Sequence, residues 1–366
     1  MSELFIGLMS GTSLDGVDAV LVDLGDGAVR LLAHQHDPFP AALREELLSL
    51  NSPGDNELHR AALAANALAR SYADSVTKLL EKSGQRKQDI RALGAHGQTV
   101  RHRPTEFDGC GYTSQLLNGS LLAEQSGVAV VCDLRSRDLA AGGQGAPLVP
   151  AFHRAVFGRS DADVAVLNIG GISNLSLLSQ DGKSLGFDCG PGNCLMDGWI
   201  ALHFQKDFDA DGAWAASGRV LPELLARLLA EPYFQQPPPR STGRDLFNSA
   251  WLARALRGDE AAADVQATLL ELTAQSIVGS LTPSQRSGEL LVCGGGALNG
   301  QLMHRLQALL PQMQVLTSNA RGVPVMQVEA AAFAWLAQRF VHGLPGNLPQ
   351  VTGAAGPRIL GALYPA

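Results

Sequence analysis

Three segments of the chain combine glycines with hydroxyl, amide or carboxylate side chains. The first contains Ser10, Gly11, Thr12, Ser13, Leu14, Asp15 and Gly16. Residues 168–174 form the second, with Gly170 and Gly171, and residues 293–299 form the third, with Gly294, Gly295, Gly296 and Asn299. Glycine lets backbone N–H groups approach an anion, and a flat glycine backbone can pack against a base and ribose. Each segment could be an ordinary turn, but two similar turns at matching places favour binding of nucleotide phosphates.

Asp188 is the carboxylate best suited to act as a general base. It precedes the Gly190-Pro191-Gly192 turn at the expected end of a strand, where rigid backbone would fix its position. The alternative is that Asp188 only stabilises the turn or caps the next helix. Ser241 and Thr242, in a segment expected to open a helix, are interpreted first as helix caps.

Further polar side chains follow other expected strands and could bind a hydroxyl-rich ligand that carries a carboxylate. They are His96, Gln98, Arg135, Asp138 and Asn168. Arginine is suited to pairing with the carboxylate. Glu329 begins the last expected helix, where it could face a ligand or favour the helix dipole. Ordinary surface-loop chemistry is the alternative for the first four.

The elements that must position these residues alternate between strands and helices, which indicates an α/β fold. Apolar patterns predict strands at 4–9, 17–24, 90–95, 128–131, 164–169, 172–178, 290–293 and near 313–317. They predict helices at 57–82, 121–126, 193–205, 221–230, 245–257, 260–281, 299–309 and 328–341. The order strand, glycine-rich turn, strand occurs twice, roughly 160 residues apart, which indicates a duplicated fold.

The duplication predicts two domains. We expect residues 1–133 with about 328–366 to form the N-terminal domain, and residues 134–327 to form the C-terminal one. Residues 134–150 would then cross between the domains, and the Pro/Gly-rich tail from Gly343 would lie on the surface. Because each half opens with a hairpin rather than a strand–helix–strand unit, a Rossmann fold is disfavoured.

Composition excludes several classes of protein. The chain has 366 residues, 46% hydrophobic, and a formal net charge of -7, which argues against nucleic acid or a lipid surface as partner. The five cysteines are irregularly spaced and form no metal-binding pair pattern. The N-terminus lacks the basic region of a signal peptide, and no window approaches the ~20 apolar residues of a membrane span. These features predict a cytoplasmic protein.

Taken together, the motifs resemble the anhydro-N-acetylmuramic acid kinase family. The resemblance rests on GLMSGTSLDGVDA (7–19), GAHGQTVRH (94–102), AAGGQGAPLVPAFH (140–153), NIGGISN (168–174), FDCGPGN (187–193), DGAWAASG (211–218), STGRDLFN (241–248), VCGGGALN (292–299) and EAAAFAWLA (329–337). These strings span nearly the whole chain and keep the family's order. The resemblance implies a two-domain actin-like ATPase (ribonuclease H-like) fold with an interdomain nucleotide cleft.

The resemblance also implies an activity. Family members use ATP and water to open the 1,6-anhydro bond of the sugar and phosphorylate its 6-oxygen, with Mg²⁺ expected to bridge the phosphates. It extends the main ATP-binding segment to Gly11–Asp18, and so includes Val17 and Asp18. It makes Asp188 the base that activates water, and Glu329 an acid that helps hold the sugar. A homodimer is expected from the family alone.

Three other functions remain possible at this point. The chain could be another actin-fold sugar kinase that acts on a free hydroxyl, or a nucleotide-switched binding protein. It could also be a glycosidase with Asp188 and Glu329 as its carboxylate pair, although that reaction would not require three phosphate-type turns.

Overall fold

The computed structural model describes residues 2–11, 13–238, 240–282 and 285–366, and the chain divides into two compact units. Met1–Val156 with Gln327–Ala366 form the first unit, and Phe157–Met326 form the second. The sequence predicts the first boundary between the two domains at residue 134. In the structure, residues 134–156 instead belong to the first unit. The carboxylate of Asp138 accounts for this difference, because it accepts hydrogen bonds from residues of the C-terminal segment.

The first unit is built on a mixed sheet of six strands. They are β1 (Leu4–Met9), β2 (Gly16–Asp23), β3 (Arg30–Pro38), β4 (Ile90–Ala95), β7 (Val130–Cys132) and β13 (Ala362–Tyr364). Their order is β13-β7-β4-β1-β2-β3; β1, β2 and β3 are antiparallel neighbours, and β1, β4 and β7 run parallel. A separate antiparallel hairpin of β5 (Gln98–Pro104) and β6 (Gly111–Leu116), which the sequence did not predict, follows β4.

The described residues of this part of the chain form seven helices. They are α1 (Ala41–Ser49), α2 (Glu57–Ser83), α3 (Gly119–Ser126), α4 (Ser136–Leu139), α5 (Val149–Phe157), α12 (Val328–Val341) and α13 (Pro349–Thr352). Among them, α2, α3 and α12 pack on that sheet. The backbone of α12 lies directly on β1 and β4, because both strands carry glycine at the contact. A Cβ on Gly7 would lie 1.8 Å from the carbonyl oxygen of Ala330, and one on Gly94 would lie 1.9 Å from that of Phe333. This close contact fixes Glu329, in the first turn of α12, relative to the sheet.

The second unit repeats the strand order of the first. Its sheet consists of β8 (Val164–Ile169), β9 (Ile172–Leu178), β10 (Ser184–Pro191), β11 (Gly288–Cys293) and β12 (Met313–Thr317). The order is β10-β9-β8-β11-β12, with β8 to β10 antiparallel and β8, β11 and β12 parallel. Each sheet therefore begins with a three-stranded antiparallel meander and adds parallel strands beside its first strand. This repetition confirms the predicted duplication of fold.

Helices enclose a second apolar core around that sheet. They are α6 (Cys194–Phe204), α7 (Ala213–Ser217), α8 (Pro222–Leu229), α9 (Ser249–Ala255), α10 (Ala262–Gly279) and α11 (Gly300–Leu309). The first turn of α11 is capped by the side chain of Asn299, whose Oδ1 accepts from the N–H of Leu302 at 3.0 Å.

The C-terminal tail differs from its predicted surface position. Val351, Thr352 and Leu360 are buried, and β13 pairs with β7 as the edge strand of the first sheet. Glycine and proline in this segment mark turns between packed residues rather than a solvated tail. Within the described ranges, no helix is both long and apolar enough to cross a membrane.

Candidate active site

One oxygen of the Asp188 carboxylate is held by the loop that follows α8. Its Oδ2 accepts hydrogen bonds from the backbone N–H of Thr242 and from Oγ of Ser241, each at 3.0 Å. Oδ1 of Asp188 accepts no hydrogen bond from a described residue. The carboxylate is thus oriented through one oxygen, while the other can accept a proton.

The backbone of Asp188 is fixed by the same loop. Its N–H donates to the carbonyl oxygen of Arg240 at 3.0 Å, and its carbonyl oxygen accepts from the Tyr233 hydroxyl at 2.9 Å and from Nε of Arg240 at 3.1 Å. The Arg240 guanidinium also donates to Oγ of Ser280 at 2.7 Å and lies over the ring of Tyr233. A register shift of β10 lies between Asp188 and Gly190. Asp188 is therefore held inside a bulged strand, two residues before the predicted turn.

The protein environment stabilises the protonated form of the Asp188 carboxyl group more than bulk water would. Burial raises its pKa above the ordinary value, and the hydrogen bonds from Thr242 and Ser241 and the charge of Arg240 only partly oppose this. A half-buried carboxylate with a raised pKa is a stronger base than a solvated one, which suits proton abstraction.

Residues 241–245 do not open a helix as the sequence predicted. Helix α9 begins only at Ser249, after Asn248, whose Oδ1 caps the N–H of Trp251 at 2.9 Å. Residues 240–242 form no helix, and their polar groups donate hydrogen bonds to Asp188. The sequence therefore missed three residues that hold the candidate base, namely Arg240, Ser241 and Thr242. The sequence signals for them were the Ser-Thr pair after a proline-rich run and the string STGRDLFN (241–248) of the family resemblance.

The first glycine-rich segment contains both structural and accessible residues. Leu14 and Val17 are buried in the apolar core, and Oγ of Ser10 lies 2.8 Å from the hydroxyl of Tyr72. A Cβ on Gly16 would lie 2.2 Å from the carbonyl oxygen of Asp37, so this glycine permits close pairing of β2 with β3. These four positions stabilise the fold of the segment and offer no side chain to a ligand.

Among the described remaining positions, Gly11, Ser13 and Asp15 are open to a ligand. Ser13 and Asp15 are exposed and joined by a hydrogen bond of 2.8 Å, and a Cβ on Gly11 would meet only Oγ of Ser13, at 3.6 Å. Asp18 is half-buried, with Oδ1 2.9 Å from Nε2 of His34. The predicted contact of Thr12 lies outside the described residues.

Arg135 and His96 form the centre of a polar cluster in the first unit. Nη2 and Nε of Arg135 lie 2.9 and 3.2 Å from Nε2 of His96, and Nη1 donates to the carbonyl oxygen of Gly145 at 2.8 Å. Burial and the Arg135 charge lower the pKa of His96 to about 3, so its ring is neutral. Nε2 must then be the unprotonated nitrogen, because it accepts from the guanidinium.

Glu329 belongs to the same cluster and forms no hydrogen bond with a described residue. Burial raises its pKa; the charge of Arg135 opposes this shift, and the carboxylates of Asp18 and Asp15 add to it. Gln98 connects the cluster to the first segment, because its Nε2 donates to the carbonyl oxygen of Gly11 at 3.1 Å. The structure thus brings together predicted nucleotide residues and predicted sugar residues of the first unit.

Asp138, which the sequence predicted to contact the sugar, lies in an environment that does not suit this role. It is fully buried, and its oxygens accept from Asn347 at 2.7 Å, from Thr352 at 2.8 Å and from the N–H of Gly145 at 2.8 Å. A carboxylate saturated by three internal donors stabilises the fold and has little capacity left for a substrate.

The glycine turns of the second unit lie at the ends of β8 and β11. The carbonyl oxygens of Gly170 and Gly171 accept from the N–H groups of Asn193 and Gly192 at 2.8 and 2.9 Å. Gly294 has a positive φ of 77°, and a Cβ there would lie 2.4 Å from Oδ1 of Asn168, so Asn168 packs directly on the third turn.

Two glycines of the third turn differ in their surroundings. A Cβ on Gly296 would lie 2.3 Å from the side chain of Ile169, whereas one on Gly295 would meet only Nδ2 of Asn193, at 3.6 Å. Gly295 is therefore accessible to a ligand, whereas a side chain at position 296 would clash with Ile169. Asn299, a predicted nucleotide contact, uses its side-chain oxygen to cap α11.

Side chains for a dedicated metal centre are not grouped in the described part of the chain. No set of three or more His, Cys, Asp or Glu residues is placed to hold an ion there.

The two sheets share the strand order 3-2-1-4-5, to which the first sheet adds β13 at its edge, and each has a glycine-rich turn after its first strand; this arrangement defines an actin-like α/β protein of the ribonuclease H-like class. This class includes sugar kinases and nucleotide-dependent chaperones. The model of the family described as "Anhydro-N-acetylmuramic acid kinase" matches residues 3–366, and the chain belongs to this family.

Curated relatives with this name are similar over their full length. The protein of Variovorax paradoxus is 62% identical, with 100% of this chain and 99% of the relative aligned. That of Albidiferax ferrireducens is 58% identical, with 100% of both chains aligned. That of Pseudomonas paraeruginosa is 53% identical, with 99% of both aligned.

Proposed function

We propose that this chain is an ATP-dependent kinase that opens 1,6-anhydro-N-acetylmuramic acid hydrolytically and phosphorylates its 6-oxygen. The products are N-acetylmuramic acid 6-phosphate and ADP, and the reaction belongs to peptidoglycan recycling in the cytoplasm. Family membership over the whole chain supports this proposal. The observation that carries the mechanism is the Asp188 carboxylate, oriented through one oxygen and able to accept a proton at the other.

The proposed reaction uses Asp188 as a general base toward water. Oδ1 takes a proton from the water while the water oxygen attacks the anomeric carbon of the sugar. The bond from that carbon to the 6-oxygen breaks, and its electron pair remains on the 6-oxygen. This oxygen then attacks the γ-phosphorus of ATP, and ADP leaves with the electron pair of the broken P–O bond.

We assign the sugar to side chains that could recognise its carboxylate and hydroxyls. Arg135 supplies a guanidinium for the carboxylate, and His96 holds that guanidinium in place through a neutral nitrogen. Glu329 has a carboxyl group with no hydrogen-bond partner among the described residues and a raised pKa, so it can accept from or donate to a sugar hydroxyl. Gln98 and Asn168 are assigned to the sugar as weaker candidates.

We assign ATP to the three glycine turns. Because Gly11 and Gly170 have no side chain, the space beside their backbone is free, which supports close approach of a phosphate group. Gly295 offers an open backbone surface for the base and ribose.

Mg²⁺ would be held mainly by the phosphates. The carboxylates of Asp15 and Asp18 in the first segment fit this arrangement, because Mg²⁺ commonly takes one or two carboxylates and keeps several waters. When bound, the ion would neutralise charge that develops on the transferred phosphoryl group.

Mass spectrometry of the sugar after incubation with ATP, Mg²⁺ and the anhydro-sugar in ¹⁸O-labelled water tests the proposal. We expect a product that carries one phosphate and one ¹⁸O at the anomeric position. Phosphorylation of ordinary sugars but not of the anhydro-sugar would indicate a different sugar kinase. Slow ATP hydrolysis without any sugar product would indicate a nucleotide-switched protein.

The homodimer is a separate part of the proposal and follows from the family alone. Light scattering should give twice the 38.5 kDa mass of the chain. A single-chain mass at micromolar concentration would remove the dimer from the proposal without affecting the reaction.

A further inference from the structure

The guanidinium of Arg244 lies against the second glycine turn. A Cβ built on Gly171 would be 2.8 Å from Nη2 and 3.0 Å from Nε of Arg244. No positive φ requires glycine at this position, because Gly171 is not among the residues with left-handed backbone. The guanidinium of Arg244, an exposed residue, thus lies in the space beside Gly171 that a side chain there would enter.

Arg244 forms no ion pair that would explain this position. No carboxylate of a described residue lies within 4.0 Å of its nitrogens, and its guanidinium donates to no described residue. Asp197 interacts electrostatically with Arg244. Burial raises the pKa of Asp197 to about 7; the charge of Arg244 opposes this shift, and the charges of Asp207 and Asp209 add to it. Asp197 thus acts on Arg244 only at a distance, and the exposed guanidinium can contact an anion.

The turn beside Arg244 presents backbone donors as well. The carbonyl oxygens of Gly170 and Gly171 are occupied by the N–H groups of Gly192, Asn193 and Cys194, which fix the turn. The N–H groups of the two glycines donate to no described residue. Two backbone N–H groups and a guanidinium at one place form a set of donors suited to the oxygens of a phosphoryl group.

We propose that Arg244 is a phosphate-binding residue, and that its guanidinium holds the phosphoryl oxygens of the bound nucleotide together with the N–H groups of Gly170 and Gly171. The proposal deepens the function proposed above and depends on the use of ATP. Arginine suits the task because its planar fork can contact two oxygens of one phosphate at once.

Calorimetric binding of ATP and ADP to the full chain tests this role. Arg244→Ala should weaken ATP binding about 10- to 100-fold, as expected for the loss of a charge-assisted hydrogen bond. Arg244→Lys should recover only part of the affinity, because it keeps the charge and loses the fork. Arg254→Ala, which removes an exposed arginine of α9, is the matched control and should leave affinity unchanged.

Gly171→Ala provides an independent variant, because the added methyl group would push the guanidinium away. It should weaken ATP binding to a similar extent, and the double variant should be little worse than either single one, since both remove the same contact. Circular dichroism and thermal unfolding would show that each variant is folded.

The outcomes separate this inference from the proposed function. Normal ATP affinity in Arg244→Ala, with normal ATP binding by the parent chain, would overturn the role of Arg244 alone. A parent chain that binds no ATP would remove the proposed function itself. If Arg244→Ala weakened binding of the 6-phosphate sugar and not of nucleotide, the phosphate site would belong to the product, and the inference would also be overturned.

Discussion

Arg135 donates two hydrogen bonds to a single nitrogen of His96, at 2.9 and 3.2 Å. The contact places a buried cation on a neutral acceptor instead of a carboxylate. Burial accordingly lowers the pKa of Arg135 to about 10, and the charges of Glu329 and Asp138 limit the shift. Because His96 does not neutralise Arg135, the guanidinium keeps its charge for an anionic ligand.

Replacement of His96 should therefore affect the sugar and not the nucleotide. His96→Leu removes the acceptor and should raise the KM for the anhydro-sugar about tenfold, in line with a lost hydrogen bond to a charged group. His96→Gln retains an acceptor oxygen and should lie closer to the parent protein. ATP affinity should be unchanged in both. Equal KM values for the two variants and the parent would remove His96 from sugar recognition.

Removal of the candidate base should abolish turnover. Asp188→Asn keeps an oxygen for the Thr242 N–H but cannot accept a proton, so kcat should fall by about 10²- to 10⁴-fold. ATP binding by calorimetry should be nearly unchanged. Asp259→Asn, at an exposed aspartate of the same unit, serves as the control. Near-normal turnover by Asp188→Asn would show that another group accepts the proton.

The raised pKa of Asp188 predicts the form of the pH profile. The base acts as the carboxylate, so kcat/KM should fall as the pH decreases through its pKa, and this acidic limb should lie above the ordinary aspartate value of 3.8. The Ser241 hydroxyl stabilises the ionised form. Ser241→Ala should therefore move the limb to higher pH, by about one unit or less. A limb that moves to lower pH would contradict the assignment.

A side chain at position 11 should interfere only with the ligand. Gly11→Val introduces no backbone clash, because the nearest atom to a Cβ there is Oγ of Ser13 at 3.6 Å. We expect weaker ATP binding by calorimetry with an unchanged midpoint of thermal unfolding. Gly198→Ala, at a helical glycine with no atom within 4 Å of the added methyl group, is the control. Unchanged ATP affinity in Gly11→Val would exclude the first segment from the nucleotide site.

Asp138 should matter for stability rather than for substrate affinity. Asp138→Ala leaves the donors of Gly145, Asn347 and Thr352 without their acceptor, and should reduce the free energy of unfolding by about 3 kcal/mol or more. Asp74→Ala, at an exposed position on α2, should change it by less than about 0.5 kcal/mol. Urea unfolding measures both. A raised sugar KM in Asp138→Ala with unchanged stability would restore the predicted sugar contact.

Elements bounded by glycine and filled with apolar residues could be predicted from the sequence. The predicted strands at 4–9, 90–95, 164–169 and 172–178 and the helix at 328–341 coincide with β1, β4, β8, β9 and α12. In these segments the local pattern and the tertiary packing require the same structure. The β5–β6 hairpin escaped prediction because its strands are largely polar and belong to neither main sheet.

The roles of single polar residues could not be predicted in the same way. Asp138 meets Asn347 and Thr352, which are 209 and 214 residues away in the chain, so no local pattern distinguishes it from a ligand-binding aspartate. Likewise, Ser241 reaches Asp188 across 53 residues, although the local sequence resembles a helix cap. Partner identity depends on long-range packing, which a single sequence does not contain.

The contact of α12 with Gly7 and Gly94 imposes an order on folding during synthesis. The ribosome releases the chain from its N-terminus, so Phe157–Met326 can form a complete unit before residues 327–366 exist. Until then, the part of the first sheet that α12 covers has no helix over it, and β7 has no edge strand β13 beside it. An interrupted translation would thus release a chain with one finished unit and one exposed, aggregation-prone sheet. The first unit of this protein therefore depends on residues 327–366 for its completion.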